Sequence, residues 1–208
     1  MTILRKAEYR SLLGMPLKGK VLDLGGSKGS LYHKLFSGDF SITTANLAPG
    51  ADITCDFEQP LPISNASYDA ALIINVLEHI FEYRQFLGEV VRILRPGGTV
   101  IIVVPFLFPY HASPDDFHRY TASALSRALT AAGFVNIQCV ALGSGVCAVR
   151  WALIERLLPQ PLRALSIIIN PLVTVSDWCM VQFARLLGKQ YVPFDYPLGY
   201  TVTAYVPV

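Results

Sequence analysis

Between Lys20 and Val140 short apolar runs recur at strand-like intervals, separated by stretches with helical periodicity. Few architectures accept that pattern other than an open parallel sheet flanked by helices. The runs are VLDL (21–24), ITTAN (42–46), DITC (52–55), AALIIN (70–75), TVIIVV (99–104) and VNIQCV (135–140), and GYTVTAYVPV (199–208) reads as a last strand of the same sheet. Several are nearly continuous in Val, Ile and Leu, as strands covered on both faces are. The punctuation agrees. Glu82 to Leu94 puts Phe86, Val90, Ile93 and Leu94 on one helical stripe, and Arg95-Pro96-Gly97-Gly98 stops it. Thr121 is placed to cap a helix through Leu125, Leu129 and Ala132 that ends at Gly133.

After Val140 the alternation is lost. Residues 143–198, with Pro159, Pro161, Pro171 and Pro193, read as a helical insertion before the last strand of a single domain spanning 1–208. The mean hydropathy of +0.43 comes largely from this part. Residues 166–187 are long enough to cross a bilayer, but Pro171, Asp177 and Arg185 favour a buried or peripheral hairpin over a span. Its apolar stripes suit a lid over the ligand crevice, a homodimer interface, or contact with a membrane surface through 146–188. The N-terminal segment, with scattered charges and no continuous apolar core, reads as a short amphipathic helix and not as a signal peptide.

Composition narrows the partners. A net charge of +2 and no run of basic residues interleaved with aromatics give no support to a nucleic-acid partner. Cys55, Cys139, Cys147 and Cys179 lack C-x-x-C or Cys/His ligand spacing, so they suggest neither a metal site nor a disulfide framework, and read as thiols of a cytoplasmic protein, peripheral to a membrane at most.

The chemistry begins after the first run, at Asp23-Leu24-Gly25-Gly26-Ser27-Lys28-Gly29. A ligand lying across the carboxyl ends of parallel strands needs a turn without bulk there, so that backbone can approach it and amides of a following helix can face it. Gly25, Gly26 and Gly29 provide the clearance, although tight turns also use glycine for conformation alone. The spacing gives neither G-x-G-x-x-G nor the phosphate loop G-x-x-x-x-G-K-[ST], which argues against a pyrophosphate-binding role and a nicotinamide oxidoreductase.

The segment VLDLGGSKGSL resembles the first motif of class I S-adenosylmethionine-dependent methyltransferases of the type 11 kind, hhDxGxGxG. ADITCDFEQPLPISNASYDAALIINVLEHI and VVRILRPGGTVIIVVPF are similar to later segments of that family, in order. The resemblance implies a Rossmann-like methyltransferase fold, α/β and doubly wound, with a mostly parallel seven-stranded sheet, and S-adenosyl-L-methionine as cofactor. By that resemblance Asp23 holds the methionine end of the cofactor, and Gly25, Gly26 and Gly29 form the turn. Asn46 stands where an Asp or Glu binds the ribose, Asp56 accepts from the adenine amino group beside Phe57, and Asn75 borders the methyl group. Glu78 and His79 form the L-E-H signature, which either shapes a loop or serves function.

Ser27 and Asn46 depart from the pattern and keep open a non-catalytic binding or scaffold protein on the same fold, peripheral to a membrane. Beyond the fifth run, Pro109, His111, Pro114, Asp116, Arg119 and Thr121 resemble a subset of methyltransferases linked to cell-surface glycans or lipid-linked intermediates. The implied reaction is methyl transfer to oxygen, less readily nitrogen, of a small, glycan or lipid-linked acceptor. A hydroxyl acceptor benefits from a base, and His111, then His118, are the candidates. Asp116, Arg119 and Tyr120 are the substrate-binding candidates, Asp116 and Arg119 having the alternative role of a pair that orders the loop.

Overall fold

In the computed structural model, which describes residues 1–208 with the side chains of 160, 163 and 164 set aside, the apolar runs form one seven-stranded sheet of order β3-β2-β1-β4-β5-β7-β6. The strands are β1 Gly19–Leu24, β2 Phe40–Asn46, β3 Ile53–Thr54, β4 Tyr68–Ile74, β5 Leu94–Pro105, β6 Val135–Leu142 and β7 Gly199–Tyr205. All neighbours pair in parallel except β7, which runs antiparallel between β5 and β6. The helices are α1 Ile3–Leu12, α2 Tyr83–Ile93, α3 Ala122–Ala132, α4 Val146–Ile154 and α5 Ser166–Leu186.

Because successive strand side chains point to opposite faces, neighbouring residues feed different cores. Leu22, Ile73 and Ile102 bury against Phe86 and Val90 of α2 and Leu129 of α3. Val21, Leu72 and Ile101 bury on the other face with Leu12 of α1 and Phe36. Each such side chain contributes roughly 1.5–3 kcal/mol of burial. Thr121 caps α3 by accepting the Ala124 amide at 3.2 Å, and Gly133 ends it in the left-handed region.

Two expectations are corrected. No α-helix follows β1: the stretch between Gly29 and Gly38 yields only the short 3-10 turn Leu31–Leu35, so the glycine turn has no long helix behind it. Arg95 to Gly98 is not a separate stop either. Leu94 already pairs with Tyr68, and a register shift carries the strand through both glycines.

Between β6 and β7, α4 packs on α1 through Ile3, Leu4, Ala148, Ala152 and Leu198. Glu155 accepts the Ile3 amide at 2.9 and 3.2 Å, satisfying one of the open amides at the start of α1. Helix α5 is inverted relative to a core helix. Its buried residues are Ser166, Asn170 and Asp177, whereas Ile167, Ile168, Leu172, Trp178, Phe183 and Leu186 are exposed. The inward stripe is polar because it makes bonds. Asp177 accepts the Cys147 and Ala148 amides at 2.9 Å each at the start of α4, and Asn170 accepts the Trp151 indole N–H at 2.7 Å. Gly145 permits that approach, since a Cβ there would lie 2.3 Å from the Asp177 carboxyl carbon.

Candidate active site

The turn after β1 is built around a buried carboxylate. Asp23 is fully buried. Its Oδ2 accepts from the Tyr32 hydroxyl at 2.7 Å and lies 2.6 Å from His33 Nε2, while among the described residues Oδ1 has no hydrogen-bond partner. Burial, and then the Asp23 charge, push the Tyr32 phenol well above its ordinary pKa. A Cβ on Gly26 would fall 1.8 Å from Asp23 Oδ2, so the absence of a side chain is what lets the carboxylate sit under the turn. Gly25 has φ +93°, and a Cβ there would meet Val76 at 2.2 Å. Ser27, standing for the middle glycine, is exposed and ties the turn together through Ser30, which it bonds from both its amide and its carbonyl.

In front of this turn lies a cavity of about 330 Å³ lined by Gly25, Asn46, Asp56, Phe57 and Asn75, with Leu47, Val76 and Ile80 as apolar wall. Asp23, Gly26 and Gly29 do not line it. Asp56 is held at the rim by the Glu58 amide, which donates to Oδ1 at 2.9 Å, and the Phe57 ring packs against Phe86 at 5.3 Å. The residues present fit a long, amine-bearing ligand. Leu47, Phe57, Val76 and Ile80 give the cavity apolar wall for a ring, and the Asp56 carboxylate on its lining is an acceptor for an amine.

Asn46 is used differently from what the resemblance implies. Its Nδ2 donates to the carbonyls of Gly25 at 2.7 Å and Gly26 at 3.2 Å, and its Oδ1 accepts the Ala48 amide at 3.1 Å. The amide hydrogens are therefore spent on the glycine turn. A carboxylate here would face two carbonyl acceptors, so Asn46→Asp, although it restores the acid of the resembled motif, is expected to weaken binding of S-adenosylhomocysteine about tenfold, roughly 1.4 kcal/mol, by titration calorimetry. Tighter binding would contradict this reading.

A larger cavity of about 650 Å³ opens beside the first, lined by Leu4, Arg5 and Glu8 of α1, Phe108 and His111 of the loop after β5, and Glu155 of the insertion. Asn75, His79 and Ser113 line both. Asn75 carries φ +54°, a conformation asparagine tolerates better than most residues, and its amide donates to the Val103 carbonyl at 2.8 Å. Glu8 was not singled out from the sequence. It lies on the buried stripe Leu4, Glu8, Leu12 of α1, and a carboxylate in that register was the available signal. Burial raises its pKa, opposed first by Arg5, whose Nε lies 3.3 Å away.

At the junction, Glu78 is fully buried, and among the described residues neither of its carboxylate oxygens has a hydrogen bond. His79 Nε2 lies 3.7 Å and His111 Nε2 3.6 Å from its Oε1. His79 Nδ1 bonds the Asp115 carbonyl. His111 Nδ1 lies 3.1 Å from the Pro109 carbonyl, 3.3 Å from Asp116 Oδ2 and 3.4 Å from the donating Arg119 Nη2. The facing Glu78 carboxylate raises the His111 pKa, with burial opposing.

Asp116 and Arg119 do not line the cavity; they brace it. Asp116 forks onto the Arg119 guanidinium and accepts the His111 amide at 2.9 Å, and the guanidinium holds its pKa down to about 2. Tyr120 is buried and donates to the Leu77 carbonyl at 3.2 Å. His118 sits among the rings of Phe81, Tyr83, Phe117 and Tyr120 and lines neither cavity. The pair-that-orders-the-loop alternative thus describes where Asp116 and Arg119 stand.

Sheet order, glycine turn and paired cavities together define an open α/β domain of the class I methyltransferase type. Residues 22–102 match the family model described as methyltransferase domain. It is 33% identical over 92 residues to a probable S-adenosylmethionine-dependent methyltransferase of Mycolicibacterium smegmatis, covering 41% of this chain and 36% of that protein. It is 32% identical over 90 residues to an O-methyltransferase of Pyrenophora dematioidea, covering 38% and 34%. The chain thus spans about a third of the length of the curated relatives it matches. Among solved structures, the complex between the Haloferax volcanii Trm112 methyltransferase activator and a putative methyltransferase superposes with a TM-score of 0.62 at 17% identity, covering 99% of this chain and 90% of that one, which is a likeness of fold.

Proposed function

We propose that this chain transfers a methyl group from S-adenosylmethionine to an oxygen of a lipid-linked or glycan-bearing acceptor. The observation that carries the reading is the pair of cavities meeting at Asn75, His79 and Ser113, one bearing the residues expected for the cofactor and the other open for an acceptor. S-adenosylmethionine, when bound, supplies an electrophilic sulfonium methyl group. Asn75 stands between the cavities with Gly25 and Val76 on the cofactor side, Asp56 and Phe57 orient the far end of the cofactor, and Asp116 with Arg119 fixes the loop that carries His111. Holding acceptor and methyl group in line supplies much of the acceleration in such a transfer. His111, which lines the larger cavity, is the residue of this chain placed to take the acceptor's proton.

Support for oxygen comes from the name of the Pyrenophora relative and from the imidazole at the junction. Support for a lipid-linked acceptor comes from α5, which turns bonded polar residues inward and large apolar ones outward, as a helix resting in the headgroup region of a cytoplasmic membrane face would. The larger cavity is walled in part by the same insertion.

Two measurements test this. Calorimetry of the full chain is expected to give S-adenosylhomocysteine binding at one site. Incubation with methyl-labelled S-adenosylmethionine and separate lipid and aqueous cell extracts is expected to put label, stable to conditions that cleave methyl esters, in the organic phase. Absence of binding sinks the reading as a whole, and label confined to the aqueous phase sinks the lipid-linked acceptor.

A further inference from the structure

Glu78 poses a problem of electrostatics. A carboxylate removed from water needs a hydrogen-bond donor or a positive charge, and among the described residues neither Glu78 oxygen has a hydrogen bond. What faces it is a pair of imidazoles from separate parts of the chain. His79 follows it on the turn after β4, and His111 comes from the loop after β5. Each imidazole directs Nδ1 at a backbone carbonyl and Nε2 at the same oxygen, Glu78 Oε1.

The spacing separates two explanations. An imidazolium bonded to a carboxylate closes to about 2.7–2.9 Å. Donors that share a cation at bond lengths of roughly 2.0–2.2 Å stand about 3.3–3.8 Å apart for angles between tetrahedral and 120°. The observed separations of 3.7 and 3.6 Å match the second, and one donor atom from each of Glu78, His79 and His111 fits within 4.8 Å of the others. Carbonyls that fix the Nδ1–H of metal-ligating histidines are the usual outer support of such sites.

We infer that Glu78, His79 and His111 form a binding site for a divalent cation of the zinc, cobalt and manganese class at the junction of the two cavities. Two imidazoles and one carboxylate leave coordination positions open, as sites that act on a substrate do. His79 lines both cavities and His111 the larger, so those positions face the acceptor side. An acceptor hydroxyl oxygen completes the set and loses its proton to solvent there, a role the imidazole of His111 holds only while its Nε2 is free. That consequence rests on the methyltransferase reading; the site itself does not.

The test uses the full chain after removal of metals with a chelator. Titration with Co2+ is expected to give one equivalent bound, with visible ligand-field absorption that Zn2+ displaces. Glu78→Gln and His111→Ala are each expected to weaken binding by at least about tenfold, and the exposed-residue control Asp39→Asn leaves it unchanged. Should Glu78→Gln fail to fold, the His111→Ala chain and the wild-type spectrum still decide. No absorption on adding Co2+, or binding indifferent to both substitutions, overturns the site. S-adenosylhomocysteine is titrated into the same metal-free sample. Binding of it without cobalt binding removes the cation site and leaves the methyltransferase reading standing, and cobalt binding without it does the reverse.

Discussion

His111→Ala is expected to lower methyl transfer about 10²- to 10⁴-fold while leaving affinity for S-adenosylhomocysteine little changed. The asymmetry follows from placement. His111 lines the larger cavity and not the smaller one, and its ring faces Glu78 and His79 at the junction, so its loss removes activation of the acceptor and spares the cofactor. The backbone of the loop stays in place because Asp116 bonds the His111 amide and the Arg119 guanidinium, neither of which involves the imidazole. Label transfer into the acceptor fraction measures the first quantity and calorimetry the second. Transfer at the wild-type rate would remove His111 from the chemistry, and an equal loss of cofactor affinity would mean the loop had collapsed.

Asp116→Asn separates positioning from chemistry in the same assay. It breaks the fork onto Arg119 and weakens the hold on the His111 amide without touching Nε2, so its loss of rate belongs to a ring that wanders.

What could be read in the chain was what is local. The strands announce themselves through continuous Val, Ile and Leu, and the family resemblance named Gly25, Asp56, Phe57 and Asn75, which line one cavity beyond the strand ends. The same resemblance named Asp23, but its partners Tyr32 and His33 come from a segment expected to be a helix, which the short distance between Gly29 and Gly38 does not allow. The cluster of Glu78, His79 and His111 was half legible as the L-E-H signature. Its third member arrives from a loop whose path depends on the Asp116–Arg119 fork, a tertiary fact that spacing alone does not carry. Hydropathy marked α5 as apolar, and its direction was invisible: whether Asn170 and Asp177 face in or out is decided by the amides of α4 and the Trp151 indole.

Gly25→Ala is expected to destabilise the chain by about 2–5 kcal/mol, adding the cost of a side chain in a left-handed backbone conformation to that of crowding Val76. At φ +93° a Cβ would approach Val76 Cγ2 to 2.2 Å, and Val76 belongs to the wall that the cofactor cavity shares with Ile80, so relief by moving Val76 distorts the site itself. In thermal unfolding this corresponds to a fall of roughly 5–15 °C for a domain of this size. Loss of S-adenosylhomocysteine binding should accompany it even well below the melting temperature. The comparison that isolates crowding is Gly29→Ala: its φ of +74° imposes similar conformational strain, but a Cβ there meets nothing within 4 Å. Gly29→Ala should therefore lose only about 1 kcal/mol and retain binding. Equal effects at the two positions would show that backbone conformation alone, and not clearance between the turn and Val76, is what the cofactor site requires.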